Sequence, residues 1–282
     1  MSENPKGYAN PQLLITPAEL HGRLSADGSP APLVIDIRPA EQFAAGQVPG
    51  AQHIDLSGLS LIDTDPAPLR AFLWMIEHLF ASRGLAADRP VVVYDDQSGY
   101  RAGRAFWFLE LFGHPDVRVL DGGFGAWARA GLPVSREAVA PVATEWQGGR
   151  RTWVLATWKD VAERLGRSST TLLDTRSREE HCGTLVRAAR GGTIPGSIHL
   201  EWTNNLGPDG AFRPAAELQA MYAAAGVTPD HEVITYCQGG YRGANSYLAL
   251  RLLGYPNVRN YLGSWREWGD RTDLPIDVPK AT

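Results

Sequence analysis

Apolar and polar positions along the chain follow two alternating patterns, short apolar runs and longer stretches with helical spacing. The runs from Leu33 to Asp36 and from Val233 to Tyr236 predict buried strands, and the segment from Tyr241 to Leu250 has the apolar spacing of a helix. Thr16 and Thr157 each stand three residues before an acidic residue, which predicts two helix starts. This alternation predicts an α/β fold in which helices flank parallel sheets.

The whole pattern occurs twice. Residues 92–127 align with residues 233–268 without a gap and at a constant offset of 141. Identical residues at equivalent positions include Gln97 and Gln238, Tyr100 and Tyr241, and Arg101 and Arg242. We therefore predict two tandem domains of one fold, at 1–134 and 151–282, joined by a linker at 135–150 that has no sustained period.

One equivalent pair differs in its chemistry, because Asp96 stands where the second half has Cys237. The first domain is therefore predicted to be inactive. One hypothesis for Asp96 is that its carboxylate binds the amides of its own loop and holds that loop shut.

The earlier parts of the two halves also match, since Asp36 and Asp174 each end a strand-like run in Asp-x-Arg. The second half then carries eight extra residues between Glu179 and Gly191. Arg187 and Arg190 lie in this insertion, and Arg178 stands beside it.

The loop from Cys237 to Arg242 lies between a predicted strand and a predicted helix. Backbone amides converge in such a loop near a helix N-terminus, where negative charge is stabilised. A cysteine there ionises easily, so Cys237 is a candidate nucleophile and Arg242 a fixed cation. The structural alternative is that Cys237 is a small buried apolar residue. The amides that would hold the sulfur belong to Gln238, Gly239, Gly240, Tyr241 and Arg242.

Composition narrows the function further. The net charge of −4 gives no general attraction to nucleic acid, and 282 residues suffice for two domains. The two cysteines, Cys182 and Cys237, have no paired spacing, so neither a disulfide framework nor a metal site is predicted. The first residues lack a signal-peptide pattern and no run reaches membrane-spanning length, so we expect a cytoplasmic protein without a membrane partner. We also expect a monomer that needs no cofactor.

The motifs together resemble those of the tandem-domain rhodaneses, or sulfurtransferases. The resemblance covers nearly the whole chain and rests on the Asp-x-Arg strands, the turns at Pro49 and Pro195, and the segment from Gly254 to Trp268. Members of this family keep the loop cysteine in the second domain and have lost it in the first. Cys237 in the second half and Asp96 in the first match this pattern.

The resemblance implies a sulfur relay. The Cys237 thiolate would take the outer sulfur of thiosulfate as a persulfide and pass it to cyanide or to a thiol. Asp174, Arg178 and Arg187 are predicted to contribute to the substrate pocket. The position of the anion-binding arginine of the family falls on Glu180 here. Arg178, Arg187 or Arg190, which lie in or beside the insertion, could supply the charge instead, and their spacing does not decide between them.

The residues of the loop bear on the choice between this function and its alternatives. Mercaptopyruvate sulfurtransferases usually have Cys-Gly-Ser-Gly-Val-Thr at this loop, whereas this chain has Cys-Gln-Gly-Gly-Tyr-Arg. Thiosulfate is therefore favoured over 3-mercaptopyruvate as the donor. The six-residue Cys-x4-Arg loop is also shorter than the Cys-x5-Arg loop of the phosphatases that it resembles. A non-catalytic sulfur-carrier module, with Cys237 loaded by a partner, remains a further alternative.

Overall fold

The structure is a computed structural model that describes residues 4–26 and 31–280. Those residues form two five-stranded sheets, one in each half of the chain, and every strand pair is parallel. Each sheet is flanked by helices, so the α/β fold predicted from the apolar pattern is confirmed.

The first half has the strand order β1-β5-β4-β2-β3. Its strands are β1 (Leu14–Ile15), β2 (Leu33–Asp36), β3 (Gln52–His53), β4 (Val91–Tyr94) and β5 (Val117–Leu120). Its helices are α1 (Pro17–Ser25), α2 (Ala40–Ala45), α3 (Pro66–Ala81), α4 (Tyr100–Leu111) and α5 (Gly123–Arg129).

The second half repeats this arrangement in the order β6-β10-β9-β7-β8. Its strands are β6 (Leu155–Ala156), β7 (Thr170–Asp174), β8 (Ile198–His199), β9 (Glu232–Tyr236) and β10 (Val258–Tyr261). Its helices are α6 (Trp158–Ala162), α7 (Arg178–His181), α8 (Ala215–Ala224), α9 (Tyr241–Leu252) and α10 (Ser264–Asp270).

The local sequence explains these elements. The central strand β4 is buried along its whole length, as a strand covered by helices on both faces must be. Both predicted helix starts are confirmed, because Thr16 and Thr157 form capping boxes with Glu19 and Asp160.

The two halves pack against each other, and one of their contacts is the crossing of α4 with α9. Gly103 allows the close approach, since a Cβ at this position would lie 2.9 Å from the Cα of Asn245. Glu110 on α4 accepts hydrogen bonds from Arg251 (2.8 Å) and from the Tyr247 hydroxyl (2.7 Å) on α9. Apolar residues of both helices belong to the same buried cluster. The halves are therefore packed through equivalent helices.

The segment between the halves has neither helix nor strand from residue 136 to residue 150. It runs along the first half, where the Thr144 amide donates to Ala81 O (3.0 Å) and Trp146 Nε1 donates to Phe112 O (3.1 Å). The domain boundaries at 134 and 151 stay a prediction. Among the described residues, no helix combines the length and the apolar character needed to cross a membrane.

Candidate active site

Cys237 directly follows the central strand β9, at the carboxyl edge of the second sheet. Ligands of open α/β sheets bind at this edge. The residue is 1% exposed, its amide donates to Ser264 Oγ (3.2 Å), and its carbonyl accepts from the Trp265 amide (2.9 Å). Gly240 ends the loop with φ of +79°, where a Cβ would lie 2.8 Å from Leu262 O. The turn into α9 therefore requires glycine.

A cavity of about 430 Å³ opens above Cys237, and both halves contribute to its wall. The first half supplies Ser57, Gly58, Ser60, Tyr100 and Arg101; the second supplies Arg187, Cys237, Gln238, Gly239, Tyr241, Arg242 and Arg266. The first half therefore forms part of the wall of the pocket that holds Cys237. A larger hollow of about 550 Å³ lies at the opposite edge of the second sheet, around Glu232 and Val258, and contains no cysteine.

Among the residues that the structure describes, those lining the cavity include four arginines and no carboxylate. Arg242 forms an ion pair with Glu180, a residue that is 1% exposed and does not line the cavity. Nη1 and Nη2 of Arg242 donate to the Glu180 carboxylate at 2.5 and 2.9 Å. Burial acts to lower the pKa of Arg242, but the ion pair with Glu180 and the charge of Cys237 outweigh burial and raise this pKa above its usual value. Arg187 Nε also lies 3.7 Å from Glu180. The charge of Arg242 is therefore balanced within the protein.

Arg101 and Arg266 differ from Arg242 in this respect. Within residues 4–26 and 31–280, no carboxylate oxygen lies within 4.0 Å of either guanidinium. Arg101 Nε is moreover buried without a hydrogen-bond partner. The free positive charge of the cavity thus comes from one arginine of each half.

The backbone amides of residues 238–242 donate to no acceptor in the described parts of the chain. The first half shows what the equivalent amides bind. There the Asp95 carboxylate accepts from the amides of Gln97 (3.2 Å), Gly99 (3.0 Å), Arg101 (3.1 Å) and Ala102 (3.1 Å). A loop of this kind can therefore hold an anion, and in the first half it holds a side chain.

The hypothesis that Asp96 binds the amides of the first loop is wrong, because the neighbouring residue Asp95 binds them. Asp96 itself is exposed. Burial raises the pKa of Asp95 to about 6, although the amide hydrogen bonds act in the opposite direction.

Two predicted pocket residues lie away from the cavity. Asp174 is 0% exposed and binds Arg176 (2.6 Å), His181 (3.0 Å) and Thr193 (3.0 Å), so its predicted substrate contact does not fit this structure. Arg178 begins α7 on the surface and is absent from the cavity wall.

The third arginine near the insertion, Arg190, also points away. It donates to the carbonyls of Gly269 (3.1 Å) and Leu274 (2.8 Å) and stabilises the end of α10. Arg187 is thus the insertion arginine that reaches the cavity, together with the predicted loop residues Cys237 to Arg242.

Sequence reasoning missed Arg101 and Arg266. Arg101 could have been predicted from the repeat, because it is equivalent to Arg242 and equivalent loops meet when equivalent helices pack together. Arg266 carried none, since glycine occupies its equivalent position, Gly125, in the first half.

Fold and site together define a class of α/β protein with two tandem domains, of which the second holds a cysteine in a strand-loop-helix turn. The family model "Rhodanese-like domain" matches residues 16–130 and again residues 157–271. The chain belongs to the rhodanese family.

Curated relatives match almost the full chain. A thiosulfate sulfurtransferase of Azotobacter vinelandii is 36% identical, over 96% of this chain and 99% of the relative. A thiosulfate sulfurtransferase of Pseudomonas aeruginosa is 37% identical over the same shares. The sulfur carrier protein TtuD of Thermus thermophilus is 32% identical over 96% of this chain and 98% of the relative.

Among solved structures, wild-type EanB superposes with a TM-score of 0.85 at 22% identity, covering 96% of this chain and 70% of its own. An EanB variant with a cysteine persulfide and ergothioneine has a TM-score of 0.84 at 23% identity, covering 97% and 72%. At these identities the likeness shows the fold.

Proposed function

We propose that the protein is a thiosulfate sulfurtransferase that works through a persulfide on Cys237. The observation that carries the proposal is the position of Cys237 at the base of an arginine-lined cavity, beside loop amides to which none of the described residues binds. The names of the relatives from A. vinelandii and P. aeruginosa support the same activity.

In the first half-reaction, the Cys237 thiolate attacks the outer sulfur of thiosulfate. A sulfur–sulfur bond forms to Cys237 while the sulfur–sulfur bond of thiosulfate breaks, and sulfite leaves with the bonding electron pair. The negative outer sulfur of the persulfide then lies near the amides of residues 238–242. This assignment is supported by the first half, where equivalent amides bind the Asp95 carboxylate.

The anionic part of the donor is proposed to bind Arg101 and Arg266. These two cavity arginines lack a carboxylate partner among the described residues, whereas Glu180 balances Arg242. Glu180 occupies the position of the family's anion-binding arginine, so in this chain the contact would pass to Arg101 and Arg266.

In the second half-reaction, a thiophilic acceptor such as cyanide or a thiolate attacks the outer sulfur of the persulfide. The sulfur–sulfur bond to Cys237 breaks and the Cys237 thiolate is restored. No external oxidant or reductant is needed, and the two steps predict ping-pong kinetics.

The test is the steady-state formation of thiocyanate from cyanide with thiosulfate and, separately, with 3-mercaptopyruvate. We expect a higher kcat/KM with thiosulfate, because the loop has neither the serine nor the Cys-Gly-Ser-Gly pattern of the mercaptopyruvate enzymes. A higher kcat/KM with 3-mercaptopyruvate would overturn the choice of donor.

A sulfur-carrier role is the second candidate, since TtuD matches over nearly the full chain. The two roles separate in one experiment. A persulfide that forms on Cys237 while turnover with both donors stays negligible would favour the carrier and contradict the enzyme.

A further inference from the structure

One arginine of the first half is buried beneath the loop of the second. Arg104 on α4 is 0% exposed, and its Nη2 donates to Leu59 O (2.6 Å). Its Nε and Nη1 are buried and have no hydrogen-bond partner in residues 4–26 and 31–280. Removing an unpaired guanidinium from water is costly, so this placement needs a compensating interaction.

The guanidinium lies against the loop that carries Cys237. Its central carbon is 3.4 Å from the centroid of the Tyr241 ring. The Tyr241 hydroxyl donates to Leu56 O (2.6 Å), next to the cavity-lining segment of the first half. Arg104 and Tyr241 thus join α4, the segment around Leu59 and the cysteine loop.

We propose that Arg104 is an electrostatic positioning residue for Cys237: its buried charge stabilises the thiolate and persulfide forms, and its contact with Tyr241 holds the loop. The proposal rests on the proposed role of Cys237 as the nucleophile. It adds that the half without a cysteine supplies a cation needed by the half that has one.

The internal repeat provides a comparison within the same chain. The position equivalent to Arg104 in the second half is Asn245, which reaches across the interface in the reverse direction and donates to Ser98 O (2.8 Å). Asn245 also accepts from Asn205 (3.0 Å) and is fully buried. A neutral, hydrogen-bonded amide therefore faces the loop with Asp96, and an unpaired cation faces the loop with Cys237.

The electrostatic part of the argument agrees with this contrast. Burial lowers the pKa of Arg104 to about 9, and negative charge on Cys237 opposes that shift. Arg104 is consequently a cation at neutral pH, and the Cys237 thiolate is the anion with which it interacts. The other charged or titratable groups around the cavity are Tyr100, Arg101, Arg187, Tyr241, Arg242 and Arg266.

The test is the pH dependence of Cys237 alkylation by iodoacetamide in the wild type, Arg104→Met and Arg104→Lys, each with Cys182 replaced by serine. Methionine keeps the length and apolar stem of the side chain but removes the charge, whereas lysine keeps the charge. We expect the midpoint of the alkylation profile to move up by about one pH unit in Arg104→Met and much less in Arg104→Lys. Altered access to the cavity would change the rate at every pH and leave the midpoint in place.

A folded Arg104→Met protein with the wild-type midpoint would overturn the proposal. A second measurement uses the native side chain, so that the test does not depend on the folding of this variant. The ¹⁵N resonance of Arg104 Nε should shift as Cys237 titrates and should stay constant in Cys237→Ser; a constant resonance in the wild type would refute the proposal. Neither readout requires turnover, so failure of the proposed sulfur transfer would be seen separately in the thiocyanate assay.

Discussion

Arg101→Gln removes one of the two cavity charges that have no carboxylate partner among the described residues. Arg101 lines the cavity above Cys237, and glutamine keeps a polar amide on a shorter, uncharged side chain. The variant should weaken the binding of the donor anion without altering the nucleophile. We therefore expect a higher KM for thiosulfate with little change in kcat.

The size of the effect follows from the setting of the charge. Two unit charges in contact attract by about 1 kcal/mol in water and about 4 kcal/mol near a protein surface. Because the cavity is open to solvent, about 1.5 kcal/mol is a reasonable value for the loss, which corresponds to about a tenfold rise in KM. Added salt should raise the KM of the wild type more than that of the variant, since screening acts on the charge that the variant lacks.

The assay is thiocyanate formation at several thiosulfate and salt concentrations. The matched control is Arg167→Gln, which removes the same charge from an exposed residue just before β7, at the opposite edge of the second sheet. An unchanged KM in Arg101→Gln, or an equal rise in Arg167→Gln, would refute the assignment of Arg101 to the donor anion.

Three further predictions concern stability. Asp174→Asn should cost about 3 to 5 kcal/mol in urea unfolding at pH 7, because it breaks a buried ion pair. Burial alone would raise the pKa of Asp174, but its imidazole and guanidinium partners hold it well below its usual value. The advantage of the wild type should therefore be complete above about pH 4 and shrink as the pH falls; equal stabilities at pH 7 would contradict this. Gly103→Ala should lower the free energy of unfolding by about 1 to 3 kcal/mol, because the added methyl group forces α4 away from α9. The control Gly22→Ala should lower it by nothing, since its methyl group meets nothing within 4 Å. Similar losses of stability in the two variants would argue against the close crossing. Burial raises the pKa of Asp95 to about 6, so the melting temperature of the wild type should fall as the pH rises from 4 to 7. Asp95→Asn should not show this fall. Parallel profiles of the two proteins would show that Asp95 does not titrate there.

The sequence predicted the fold well because the fold depends on patterns that the chain contains twice. Apolar runs mark the strands β4 and β9, and the gap-free repeat implied that both halves share one arrangement. The cysteine loop was also predictable, because its turn depends on local residues such as Gly240.

The contacts of the site depend on backbone conformations that the repeat does not preserve. Gly99 and Gly240 are equivalent in sequence, but Gly99 has φ of −89° and Gly240 has φ of +79°. The backbone therefore differs at this position of the two loops, and Asp95 rather than Asp96 fills the first one. Asp174 was misjudged for a related reason, since Thr193 and His181 close around its carboxylate from other parts of the chain.

The roles of Arg101 and Arg104 depend on how the halves pack. Both residues belong to the half without a cysteine, and both reach the second half because α4 crosses α9 at Gly103. Periodicity shows that a helix has a buried face but does not show which loop of the other half that face meets.

The most direct test of the account is the intact mass of the protein after incubation with thiosulfate and removal of excess donor. We predict that the wild type and Cys182→Ser gain the mass of one sulfur atom and lose it again on addition of cyanide, while Cys237→Ser gains nothing. A sulfur adduct on Cys237→Ser, or the failure of Cys182→Ser to gain an adduct from thiosulfate, would contradict the central claim that Cys237 carries the transferred sulfur.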